Sequence, residues 1–200
     1  MADREFLGSD RSWLAALERV ATAAEGRPRL AIQLRVKELR GPGRTRLLRQ
    51  GLEAACGAGV PVLLNGSLPE ALDLGFDGVH WPEADVPASP PSPTPVSFWR
   101  VAAAHSLEAV HRAHTAGAHL AVFGPVYDPG SKPGRGVGLG ALERIAERSP
   151  LPILAIGGIR AERVGDCLAA GSAGVAVVSA VFAAARPAAA IDALVAAFPA

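Results

Sequence analysis

The segment Leu151–Phe182, LPILAIGGIRAERVGDCLAAGSAGVAVVSAVF, decides the fold. Its apolar run Ile153–Ile156 is long enough for one fully buried strand and stops at Gly157-Gly158. Helical spacing follows from Ala161 to Ala170. A second apolar run, Val175–Val178, then ends at Ser179 and enters another helix-like segment. This strand–helix–strand–helix order is the repeat of a parallel sheet. Small residues stand at both strand ends, where glycine admits close backbone approach and free N–H groups of a helix start favour an anion. Gly157, Gly158, Val178 and Ser179 are therefore expected to cradle a phosphate monoester, because barrel folds often place a phosphate after strands 7 and 8. The competing reading is that the two glycines serve only a tight turn and close packing.

Working outward, the same alternation recurs. Strands are expected at Leu30–Leu34, Val60–Leu64, Gly78–His80, Phe98–Ala104 and Leu120–Phe123, with helices at Leu47–Ala58, Leu68–Leu74 and Leu139–Arg148. Helical spacing also marks Trp13, Leu14, Leu17, Val20 and Ala21, and a last helix runs from Ala183 to Phe198. Pro87–Pro95 carries five prolines, which excludes a regular helix and makes an extended connector in place of one barrel helix. The expected fold is α/β, a single (β/α)8 TIM-barrel domain spanning residues 1–200. Its first strand is truncated or missing: either Glu5-Phe6-Leu7 is a stub of it, or the true start lies upstream.

Composition narrows the function. Half of the 200 residues are apolar and the net charge is +1, which argues against a nucleic-acid or membrane-surface footprint. No apolar run reaches the length of a membrane span and no basic–apolar leader is visible. Cys56 and Cys167 lie in apolar helical segments and read as buried, inert thiols of a reducing compartment. A cytoplasmic protein is expected, with small-molecule partners and with a homo-oligomer allowed.

Polar residues gather at the expected strand ends, where barrel chemistry sits. Gln33, Arg35 and Lys37 alternate, so they share one face and can converge on a polar ligand; a solvated strand end would look the same. Asn65-Gly66 is also a turn signal. His80 ends a strand and is either packed or catalytic. His105 lies between a strand end and the helix cap Ser106, where the positive end of a helix disfavours a charged imidazole, leaving it free to accept a proton. His111, His114 and His119 read as surface or packing residues. The long Gly124–Gly136 loop, with Lys132 and Arg135, has the character of a binding loop for an anion.

With these residues in place, the chain resembles the thiamine phosphate synthase/TenI family. The motifs are QLRVK at Gln33–Lys37, DGVHWPEAD at Asp77–Asp85, AAHS at Ala103–Ser106, FGPVYDPGSKPG at Phe123–Gly134, AIGGI at Ala155–Ile159 and GVAVVSAVF at Gly174–Phe182. The first and fourth are specific to the family; AIGGI is not. The resemblance implies one of two activities on a thiazole phosphate. A synthase joins it to a pyrimidine diphosphate with Mg²⁺; a TenI-type tautomerase aromatises a carboxylated thiazole phosphate by proton transfer without metal. Synthases carry Asn-Asp where Asn65-Gly66 stands and Ser where Ala103 stands, and Trp81-Pro82-Glu83-Ala84 replaces their usual approach to Asp85. These departures favour the metal-independent tautomerase, with His105 moving the proton, Lys132 and Gln33 orienting the ring, and no cofactor. In the synthase alternative Asp85 is the remaining Mg²⁺ carboxylate, and Arg35, Lys37 and Lys132 neutralise the leaving diphosphate. A non-catalytic thiazole or thiamine phosphate-binding homologue is the third reading. The resemblance also places an Asp-Arg pair at the end of strand 1, at Asp3-Arg4, which implies a start codon assigned too late.

Overall fold

A computed structural model describes residues 1–27, 29–91, 94–129 and 135–199. The described residues form one parallel sheet of eight strands in sequential order. In chain order they are β1 (Ala2–Asp3), α1 (Arg4–Leu7), α2 (Asp10–Ala24), β2 (Ile32–Arg35), α3 (Gly41–Cys56), β3 (Val62–Asn65), α4 (Leu68–Leu74) and β4 (Gly78–Trp81). A 3₁₀ turn, Glu83–Asp85, follows, then β5 (Trp99–Ala104), α5 (Leu107–Thr115), β6 (Leu120–Phe123), α6 (Leu139–Arg148), β7 (Ile153–Ile156), α7 (Ala161–Ala169), β8 (Gly174–Ala176), α8 (Ser179–Phe182) and α9 (Pro187–Ala196). Each strand pairs with the next in parallel register. Between β8 and β1, the Met1 nitrogen donates to the Val177 carbonyl at 2.8 Å. The barrel reading holds.

Two apolar clusters separate the faces of the strands. Leu34, Leu64, Val79, Ala102, Phe123 and Ala155 pack outward under the helices. Val101 and Val122, with Leu120, Leu154, Ile156 and Ala176, fill the lumen along β5–β8, and Leu63 of β3 joins them. Period-2 alternation sends these two sets to opposite sides. Toward β1–β4 the lumen turns polar: Asp3, Asn65 and His80 are buried there.

The first strand departs from the Glu5-Phe6-Leu7 stub, since those residues are helical and the strand is Ala2–Asp3. It is short, as expected, and pairs Asp3 with Arg35. The buried Trp13 indole pins it by donating to the Ala2 carbonyl at 3.0 Å. Helix α3 begins earlier than expected because Pro42 sits in its first turn, where a missing N–H costs nothing. The Pro87–Pro95 connector does replace a helix: among the described residues the 3₁₀ turn is the one helical element between β4 and β5. The helix-like segment after Ser179 is the single turn α8, and the C-terminal helix expected from Ala183 starts later, at Pro187. Cys167 is buried, but Cys56 is exposed at the end of α3, contrary to expectation. Among the described residues, no helix is long and apolar enough to cross a membrane.

The α2–α3 contact offers a local check. A Cβ on Gly51 would lie 2.3 Å from the Trp13 ring. Gly51→Ala is expected to cost about 1–3 kcal/mol by overpacking, read as a lower urea midpoint at unchanged slope.

Candidate active site

The C-terminal ends of the strands bring the polar residues together. Gln33 and Arg35 lie on β2, and Asn65 and His80 end or nearly end β3 and β4. Asn65 and His80 are register partners. The His80 Nδ1 is the focus of a small network: the Gln33 amide nitrogen donates to it, and Asn65 Nδ2 lies 3.3 Å away. With Nδ1 accepting, Nε2 carries the hydrogen. That Nε2, Gln33 Oε1 and Asn65 Oδ1 are buried without a partner among the described residues. Burial, then the positive charges of Lys37 and the amino terminus, hold the His80 imidazole near 4 instead of 6.5, so it is neutral at pH 7. Of the two readings for His80, packed or catalytic, the geometry is that of a buried polar group on a lumen wall.

Arg35 is not an open cation. Its Nη1 bonds both Asp3 carboxylate oxygens at 2.7 Å, and Glu5 lies 3.7 Å away. Lys37 lies beyond the end of β2 and is exposed, and the alternation of buried Ile32, Leu34 and Val36 with the less buried Gln33, Arg35 and Lys37 continues to it. Asp3 stands in the expected Asp-Arg pair of strand 1, but its bond to Arg35, 32 positions away, has no local signal in the sequence. Arg44 and Glu70 also went unread. Arg44 pairs with Glu70 and donates from Nε to the Val36 carbonyl at 2.9 Å. A Cβ on Gly66 would lie 3.2 Å from Glu70 Oε2 and 3.3 Å from Arg44 Nη2. The place beside Asn65 is thus bordered by an ion pair.

Across the rim, His105 follows β5 and is exposed. Ser106 caps α5 as expected, accepting from the Ala109 N–H at 3.1 Å. The His105 Nδ1 lies 2.6 Å from Glu83 Oε2, and its backbone N–H donates to the same oxygen at 2.8 Å. Burial alone would push the Glu83 carboxyl up, but the bonds from His105 hold it below the usual range. His111 and His114 are exposed on α5. His119 interacts with Arg100 and Trp99 at the start of β5, far along the strands from His105.

The loops after β6 and β7 are tied to each other. Val126 N–H donates to the Ile156 carbonyl at 2.7 Å and Tyr127 N–H to the Gly157 carbonyl at 3.1 Å. Gly157 and Gly158 both have positive φ, 102° and 62°. A Cβ on Gly157 would lie 2.5 Å from Pro125 Cα, and one on Gly158 would lie 2.6 Å from the Asp128 carbonyl. Close packing therefore requires these glycines whatever else they do. Val178 precedes the one-turn α8 and Ser179 is its exposed first residue. Lys132 lies outside the described residues, as does the stretch 130–134 of the expected binding loop. The loop's far side returns to its near side, with Gly136 N–H donating to Asp128 at 2.7 Å. Asp85 is exposed at the end of the 3₁₀ turn.

Comparison with known proteins gives a consistent picture. The family model described as thiamine monophosphate synthase matches residues 9–181. A thiamine-phosphate synthase of Methanoculleus marisnigri is 41% identical over 156 residues, covering 75% of this chain and 72% of the relative. One from Roseiflexus sp. (strain RS-1) is 37% identical over 183 residues, covering 90% and 77%. Among solved structures, a thiamine phosphate pyrophosphorylase from Pyrococcus furiosus superposes with a TM-score of 0.70 at 26% identity, covering 90% of this chain and 88% of that one.

Proposed function

The chain belongs to the thiamine monophosphate synthase family, and on that premise we propose that it joins a pyrimidine diphosphate to a thiazole phosphate, releasing diphosphate. The relatives carry the synthase name, which favours this over the tautomerase expected from the departures at Gly66 and Ala103. The observation that carries the reading is the polar half of the lumen. Two amide oxygens and one imidazole N–H, from Gln33, Asn65 and His80, are buried and unpartnered there. Such groups are costly unless a ligand satisfies them. An aminopyrimidine presents both ring nitrogens and an exocyclic amine to match them. The thiazole phosphate is assigned to the opposite side of the rim, at Gly157, Gly158, Val178 and Ser179. Lys37 and Lys132 are assigned to the diphosphate, while Arg35 is paired to Asp3.

Magnesium fits this site in a limited way. Among the described residues no group of three or more His, Cys, Asp or Glu is placed to hold a metal. Mg²⁺ commonly takes one or two carboxylates with phosphate oxygens and water. Asp85, exposed after β4, would be that carboxylate, and the bound ion would offset charge on the departing diphosphate.

A specific observation favours a second reading. The His105–Glu83 contact is the arrangement of an oriented base, suited to aromatising a carboxylated thiazole phosphate. One experiment separates the readings: the purified chain is given each substrate set, with and without Mg²⁺, and products are followed by mass spectrometry. Mg²⁺-dependent thiamine phosphate formation is the expected result. Metal-independent aromatisation alone would replace it with the tautomerase. Tight binding with neither product would leave a binding protein.

A further inference from the structure

We infer that Glu83 is the positioning residue of His105, fixing its ring in the Nδ1–H tautomer and leaving the Nε2 lone pair as the proton acceptor on the rim. Three contacts carry this. Glu83 Oε2 takes the His105 Nδ1 at 2.6 Å and the His105 backbone N–H at 2.8 Å. Glu83 Oε1 takes Arg112 Nη2 at 3.3 Å. The carboxylate is thereby held from both sides, by the residue it orients and by the next helix face. An ionised carboxylate only accepts, so the hydrogen in the short contact belongs to Nδ1. A ring nitrogen whose partner is fixed in this way has its tautomer set by that partner. The backbone contact adds a second constraint, because it holds the main chain of His105 as well as its ring.

The arrangement belongs to this chain's own sequence. Position 83 lies in the WPEA stretch that departs from the family pattern, and its side chain reaches 22 residues along the chain to a neighbouring strand end. The short 3₁₀ turn that stands where a helix would be puts it there. The tautomer assignment is independent of the substrate; only its kinetic consequence rests on the proton-transfer reading above.

The test uses the full ¹⁵N-labelled chain. Two-bond ¹H–¹⁵N spectra of the histidine rings are recorded at mildly alkaline pH, with His105→Gln identifying the signal. The wild type is expected to show a protonated Nδ1 and a bare Nε2. Glu83→Ala is expected to shift His105 toward the Nε2–H form. Glu83→Gln, whose amide oxygen still accepts, and Arg112→Ala, which leaves Oε2 untouched, should keep the wild-type pattern. With the carboxylated thiazole phosphate, kcat of Glu83→Ala should fall about tenfold at nearly constant KM and recover in Glu83→Gln. If the tautomer shifts as expected but the wild type turns over no substrate, the role of Glu83 stands and the proton-transfer reading fails. A wild-type Nε2–H ring, or an unchanged tautomer in Glu83→Ala, overturns the inference.

Discussion

Gly157→Ala is expected to destabilise the chain by about 2–5 kcal/mol, combining a positive-φ penalty of about 1–2 with steric displacement of about 1–3. Gly157 sits at φ 102°, where an L side chain is strained. Its Cβ would approach Pro125 Cα to 2.5 Å, and that neighbour is backbone that no rotamer change can move. Two hydrogen bonds depend on that approach, Val126 N–H to the Ile156 carbonyl and Tyr127 N–H to the Gly157 carbonyl. The substitution would therefore part the loops that follow β6 and β7. Domains of this size have only about 5–15 kcal/mol in hand, so the variant should show a much lower urea midpoint. It should also bind the thiazole phosphate more weakly, since both loops border the assigned phosphate site. Gly140→Ala is the control: it lies in α6 with only the Arg144 side chain within reach, at 3.6 Å. It should be neutral or slightly stabilising. Equal midpoints for Gly157→Ala and wild type would remove the packing account.

The strand–helix rhythm was readable because strands such as Ile153–Ile156 and Leu120–Phe123 pack apolar residues on both faces and so appear as apolar runs. Caps were readable for the same local reason: Ser106 lies three residues from the N–H it accepts. What escaped was long-range. Arg35 looked like an open ligand for an anion, but β1 brings Asp3 beside it in register. Glu83 looked like a substitution that weakened a motif, and the fold turned it toward His105. The glycine pair read as a phosphate cradle or as a tight packing turn, and which neighbour it packs against, the loop after β6, was not visible. The last helix was expected from Ala183 and begins at Pro187, because the alanine-rich sequence gives no sharp start signal before Arg186-Pro187. In each case the sequence named the residue, and a partner tens of positions away determined what its side chain meets.

Acid should weaken the fold through His80. The imidazole is buried, and desolvation, followed by the positive charges of Lys37, the amino terminus and Arg35, holds it at about 4 against an ordinary 6.5. The unfolded chain therefore takes up a proton that the folded chain refuses. Stability rises with pH wherever the unfolded state binds more protons. The contribution of His80 is accordingly complete above about pH 6.5 and falls away as pH drops toward 4; at about 1.4 kcal/mol per pH unit it amounts to about 3 kcal/mol. Urea unfolding at steps between neutral pH and pH 4 should show this loss in the wild type. His80→Gln keeps a polar group in the lumen but cannot titrate, so its stability should decline less over the same window by about that amount. Comparing the two slopes separates the imidazole from the Met1 amino group, which burial holds at about 5, and from carboxylates such as Glu38 and Glu83 that are held low by their partners. A pyrimidine seated against Gln33, Asn65 and His80 would seal the lumen further and steepen the wild-type slope, because a ligand bound only to the folded chain is linked to the same proton. Parallel curves for wild type and His80→Gln would show that the imidazole is hydrated in solution, and would take away the dry polar wall on which the pyrimidine site depends.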